Sequence, residues 1–99
     1  MVYAIKLILD AHKDFKSAQN WYASISEELG NRFRQSVQEK VNLIAQNPYQ
    51  FQKRHKELRM ALVKRFPYAI YFITGTDQKR IVILAILHTK RNPKIPTSR

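Results

Sequence analysis

Apolar residues alternate with others at the start of the chain, where Tyr3, Ile5, Leu7 and Leu9 share one face of an extended segment. Val2, Ala4 and Ile8 make the second face nearly as apolar, with Lys6 the polar exception. This predicts a strand over residues 2–9, paired and covered in part on both sides. At Asp10 the period changes. Ala11, Phe15, Ala18, Tyr22, Ile25 and Leu29 recur at steps of three and four, the stripe of an amphipathic helix. Asp10 is its expected N-cap, Gly30 its expected stop, and Trp21 falls beside the stripe. Asn31 then opens a second helix, with Phe33, Val37, Val41 and Ile44 on its stripe and Ala45 beside it. Asn47-Pro48 closes that helix, because proline disfavours helical backbone in the residue before it. Two stripes joined by a Gly-Asn turn predict an antiparallel helical hairpin.

Residues 49–58 are polar, basic and aperiodic, which predicts a loop. Three apolar runs follow. Met60, Leu62 and Phe66 oppose Ala61 and Val63, and Tyr68, Ile70 and Phe72 oppose Ala69, Tyr71 and Ile73. Ile81 to Leu87 is apolar throughout, as expected of a central strand covered on both faces. Gly75-Thr76-Asp77-Gln78 carries turn chemistry, and Asn92-Pro93 and Ile95-Pro96 stop further pairing. The connections are too short for crossovers, so these strands are expected to form an antiparallel meander. The predicted fold is α+β: a two-layer βααβββ domain over residues 1–99, its antiparallel meander sheet covered on one face by the helical hairpin.

The chain has 99 residues, enough for one core and not two. It has no cysteine, which excludes disulfides and thiolate metal sites and suits a reducing, cytoplasmic setting. The N-terminus lacks the order of a signal peptide, and no apolar run approaches the ~20 residues of a membrane span. The net charge of +11 is placed unevenly. Residues 1–52 carry six Lys/Arg against five Asp/Glu, and residues 53–99 carry twelve against two, so the second half holds +10 of the total. Solubility needs far less charge of one sign. A half-chain this basic attracts a polyanion or an acidic protein.

Several short motifs stand in a specific order. Ala11, Asp14 and Phe15 open the first helix, and Tyr22, Gly30, Phe33 and Pro48 punctuate the hairpin. Arg65-Phe66-Pro67-Tyr68 precedes Ile70-Tyr71, and Ile83-Leu84-Ala85-Ile86-Leu87-His88 precedes Arg91-x-Pro93 and a terminal Arg99. In this order and spacing the chain resembles the RelE/ParE superfamily of type II toxin–antitoxin (plasmid-stabilisation) toxins, over nearly its full length. The resemblance implies a bacterial growth-inhibiting protein held inactive by a cognate antitoxin with an acidic, amphipathic C-terminal segment. It also implies one of two targets: DNA gyrase, as for ParE, or mRNA on the ribosome, as for the RelE endonucleases.

An endonuclease of that kind needs a base for the ribose 2′-hydroxyl, an acid for the leaving oxygen and arginines aimed at the phosphate. Its relatives place an arginine just after the tyrosine of the second meander strand. Here that tyrosine is Tyr68, and Ala69 follows. RelE also uses a C-terminal tyrosine, and residues 89–99 contain none. His88 titrates near neutrality, so His88, Arg65 and Arg91 are the catalytic candidates if the protein is a nuclease. His88 has an alternative reading as a structural residue at the strand end, bonded to backbone. Asp14 is expected to serve the helix dipole rather than catalysis, and His12 and His55 to be exposed. A gyrase inhibitor asks only for a recognition surface, and the candidates for binding a target or nucleic acid are Arg59, Lys64, Arg65, Lys90, Arg91 and Lys94. The pattern favours the ParE-like branch over the RelE-like one, with a non-enzymatic basic nucleic-acid-binding module as the third reading. No glycine-rich phosphate loop, metal-ligand cluster or small-molecule cofactor motif is present in the sequence, and none of these is expected to take part.

Overall fold

A computed structural model describes residues 3–75, 79–91 and 95–96. Five strands and two helices run in the order β1 (Ala4–Leu7), α1 (Leu9–Ile25), α2 (Glu27–Gln46), β2 (Lys53–His55), β3 (Leu58–Leu62), β4 (Tyr68–Thr74) and β5 (Arg80–His88). The sheet order is β1-β5-β4-β3-β2. The last four strands pair antiparallel, and β1 pairs parallel with β5 at the opposite edge. The expected α+β two-layer architecture is present. The sheet is mixed rather than purely antiparallel, because the chain between β1 and β5 runs through the helical hairpin and three further strands, ample length for the crossover that parallel strands require.

Four local expectations need correction. The helices part at Ser26, not at Gly30-Asn31. Ser26 is extended (φ −159°, ψ 145°) and is at once the C-cap of α1 and the N-cap of α2, its side chain accepting from the Leu29 N–H at 3.0 Å. A serine cap with Glu27 and Glu28 in the first turn starts a helix more firmly than a glycine stops one. Gly30 therefore lies inside α2, where its missing side chain matters. A Cβ there would stand 2.8 Å from Ala23 Cβ and 3.0 Å from Ala23 Cα. The helices approach closely at Gly30 and Ala23, and Phe15 stacks on Phe33 farther along, as an antiparallel hairpin requires. Strand β1 is also shorter than expected. It ends at Leu7, α1 begins at Leu9 with Ile8 as its N-cap, and Leu7 and Leu9 are exposed rather than covered. Asp10 lies in the first turn without capping it, and Ile25 is exposed, outside the core stripe.

The fifth strand is β2, within the segment expected to be a loop. Lys53, Arg54 and His55 are all exposed there, so no apolar period marks them. A short 3-10 turn (Pro48–Gln50) leads into it, and the Asn47-Pro48 stop of α2 is as expected.

The main core lies between hairpin and sheet. Phe33, Ile44, Ile70, Phe72, Ile81, Ile83 and Ile86 are almost fully enclosed. At one end Tyr22, Phe33, Phe66 and Tyr68 form an aromatic cluster with centroid separations of 4.9–6.1 Å, the range in which edge-on and offset contacts add to simple burial. The other face of the sheet carries a smaller cluster of Leu58, Ala69, Tyr71 and Ala85, with Ile95 packed against it. The run from Ile81 to Leu87 is thus covered on both sides, as its composition predicts.

The alternation in β5 breaks once. Tyr71 pairs with Ala85 but Phe72 pairs with Ile83, leaving Leu84 as the extra residue of a β-bulge. Ile81 and Ile83 face the helices before it, and Ile86 does so after it. Beyond Ile83, β5 has also outrun β1, and the Ile86 N–H donates instead to Asp14 Oδ2 of α1 at 3.1 Å. Asp14 therefore stands in for a strand, in the second turn of its helix, rather than serving the helix dipole in the first turn.

Two stability outcomes follow from these contacts. Asp14→Ala leaves a partly buried N–H without this acceptor and should cost about 1–3 kcal/mol in a denaturant melt, whereas Asp14→Asn keeps an acceptor and should cost less. Gly30→Ala improves helix propensity by about 1 kcal/mol but forces a backbone contact apart, and overpacking costs about 1–3 kcal/mol. A net loss of thermal stability is the expected result, with Ala23→Gly relieving only the side-chain part of the clash.

Candidate functional site

The bulge and the Asp14 bond together aim the end of β5 at α1. Tyr68 and His88 pair across β4 and β5 with their rings edge to face at 5.2 Å, both on the helix side. Across from them, α1 offers Asp14, Ser17 and Trp21. These groups and Arg91 border an open cleft of about 210 Å³. Arg91 is exposed and lays its guanidinium over the Trp21 ring, 5.3 Å from the centroid. Such stacking is a favoured arrangement for a planar cation on an aromatic face.

His88 is held by backbone. Its Nδ1 accepts from the Lys90 and Arg91 N–H groups, each at 3.1 Å, and Thr89 N–H donates to Pro67 O at 2.8 Å, tying the strand end to the turn before β4. An accepting Nδ1 requires the neutral ring with its proton on Nε2. Burial, and then the charges of Arg91 and Lys90, lower the His88 pKa from its usual 6.5, which agrees with that assignment. Burial raises the Tyr22 and Tyr68 phenols, and Arg91 pulls both back in part. The arrangement offers an imidazole N–H, a guanidinium and aromatic walls, which is chemistry for receiving an anionic group. The nitrogen that would act as a base is already occupied.

The other sequence candidates lie elsewhere. Lys64 and Arg65 are exposed in the turn between β3 and β4, with Arg65 in a left-handed conformation (φ 71°). They border a separate cleft of about 530 Å³ against α2, with Arg32 and Glu39 opposite. Phe66 faces that cleft and Tyr68 the first, and both pack on the Tyr22 and Phe33 cluster between them. Arg59 pairs at the level of Phe72, donates to Phe51 O at 2.7 Å and lies over the Tyr49 ring at 5.1 Å. It is four residues along β4 from Tyr68, on the order of 13 Å at the strand rise. Lys90 is exposed beside His88, and Lys94 lies outside the described residues. Among the described cation candidates Lys90 and Arg91 lie beside His88, while Lys64 and Arg65 border the other cleft and the meander sends Arg59 to the other end of the sheet. His12 and His55 are exposed, as expected. Among the described residues no group of three His, Cys, Asp or Glu is placed to hold a metal, and no helix is long and apolar enough to cross a membrane. Trp21 and Ser17 were not among the sequence candidates; the one available signal was that Trp21 falls beside the apolar stripe.

Because the folded pKa of His88 lies below that of the unfolded chain, the folded state binds fewer protons between the two values. The stability held by neutral His88 is present above about pH 6.5 and is lost as pH falls through the folded pKa. NMR titration should place the His88 ring below 6.5. His88→Asn, whose Oδ1 can replace the accepting nitrogen, should remove this part of the acid loss while preserving the fold.

The family model described as ParE toxin of type II toxin-antitoxin system, parDE, matches residues 5–93. Among solved structures, a chain of the chromosomal ParDE TA system from P. aeruginosa has a similar fold, with a TM-score of 0.74 and 23% sequence identity, covering 88% of this chain and 96% of that one. Among curated proteins no significant match was found. The family match runs from β1 through the Asp14 bond, the Arg65-to-Tyr68 turn and the His88 lock, and the chain belongs to the ParE toxin family of type II toxin–antitoxin systems.

Proposed function

We propose that this toxin arrests growth by binding DNA gyrase in the cytoplasm, through a basic recognition surface and without chemistry of its own, until a cognate antitoxin covers it. The observation that carries the reading is Ala69. It occupies the position after Tyr68 where nuclease relatives carry an arginine, and it is wholly enclosed in the apolar cluster on the outer face of the sheet. That position presents no group to a phosphate. Family membership supports the same branch. Lys64, Arg65, Lys90 and Arg91 are exposed and supply the cationic surface, with Arg59 as an outlying member.

One observation favours a second reading. His88 and Arg91 do share a cleft with Tyr68, so a RelE-like attack on ribosome-bound mRNA keeps part of its kit, although Arg65 borders the other cleft.

Purified toxin should block supercoiling of relaxed plasmid by gyrase, and its induction without antitoxin should stop growth with signs of DNA damage. The double charge reversal Lys64→Glu with Arg65→Glu should raise the half-inhibitory concentration by about ten-fold, the scale of losing cations from a charged interface. Growth arrest with unimpaired gyrase, and mRNA cleavage that disappears in His88→Ala, would replace this reading with the nuclease one.

A further inference from the structure

Helix α1 presents two faces. Ala11, Ala18 and Tyr22 are buried in the core. Trp21 is 48% exposed and Ile25, one turn along the same side, is 60% exposed. Neither is needed to fill the core. Ser17, one turn before Trp21, continues the strip into the cleft at the end of β5. The cleft therefore has an apolar approach along α1 and a polar end. At that end the Arg91 guanidinium is steadied by its stacking on Trp21, and the His88 ring, its Nδ1 occupied by backbone, retains an Nε2–H to donate. Lys90 and Arg91 outweigh the one carboxylate present, Asp14, whose Oδ2 already accepts from Ile86.

Trp, Tyr and Arg are the residues most enriched among interface hot spots, and Trp21, Tyr68 and Arg91 meet here. A second copy of this chain is a poor occupant, because two molecules of charge +11 repel. An acidic partner is favoured by the same charge. We propose that the cleft anchors one acidic side chain of the antitoxin's amphipathic C-terminal segment. Its carboxylate lies against Arg91 and the His88 Nε2–H, and apolar residues of the same segment cover Trp21 and Ile25. This assignment rests on the toxin–antitoxin reading above and adds the place and chemistry of the contact. It also places the antitoxin on Arg91, one of the cations assigned to target recognition.

The test uses the whole toxin chain and its cognate antitoxin, with any tryptophans in that partner replaced by phenylalanine. The toxin's single tryptophan is then the only one in the mixture. Binding should shift the Trp21 emission to the blue and shield it from acrylamide. Trp21→Ala and Arg91→Ala should each weaken the complex about 30-fold as read by titration calorimetry, the size of a hot-spot truncation, with melting curves showing that the variants remain folded. Arg54→Ala, on the distant edge strand β2, should bind like the wild type. Charge reversal at Arg91 should be rescued by replacing one acidic residue of the partner segment with lysine. If the partner binds the wild type and both variants equally well, the anchor is overturned and the toxin–antitoxin reading stands. If the partner does not bind the wild-type toxin at all, both fall together.

Discussion

Strand β5 is nine residues long, and its parallel neighbour accompanies only the first four. A strand edge left open beside a helix would expose backbone donors in a place where water has little room, and such groups must find partners. The Asp14 carboxylate meets the Ile86 N–H, and through it α1 takes over as the neighbour of β5. This contact sets how far apart helix and strand end stand. It therefore bears on the width of the cleft that Asp14, Ser17 and Trp21 border with the end of β5. The aromatic cluster of Tyr22, Phe33, Phe66 and Tyr68 then fills the space the contact defines.

The electrostatic design is one-sided. The ion pairs resolved among the described residues, Arg32 with Glu28 and Lys53 with Glu57, join exposed neighbours on the chain surface, a kind of pair that adds little stability. Ion pairs made by the basic residues of the second half thus contribute little to holding the fold together. Packing does that work, and the charge remains available as a field that draws in and orients an acidic partner.

Much of this was legible in the residues. The two helical stripes, the three final strands and the two-sided burial of Ile81 to Leu87 follow from period and composition, because burial selects apolar side chains directly. What was not legible has local causes. Ser26 outcompeted Gly30 as the break because a serine that caps satisfies a backbone donor, and a glycine inside a helix can be retained for close approach instead. Strand β2 has no apolar face, so nothing in Lys53-Arg54-His55 distinguishes it from a loop. Asp14 is separated in sequence by 72 residues from the N–H it serves, a pairing that a periodicity argument cannot reach. For the site, the alternative reading of His88 as a residue bonded to backbone fits its two N–H partners. Which of the candidate cations stand near it was not legible, because strand register, invisible in the sequence, decides which end of the sheet a residue such as Arg59 occupies.

The bulge at Leu84 has a consequence for comparing this chain with its relatives. Along a regular strand, residue parity encodes direction: odd positions face one layer and even positions the other. The extra residue inverts that code partway along β5, so Ile83 and Ile86 face the same layer. A relative lacking the extra residue could carry the same letters up to its histidine and yet present that histidine to the opposite side of the sheet. Motif identity at the end of this strand is therefore no guarantee of a shared site, and a correct alignment must place its gap by counting bulges rather than matching residues.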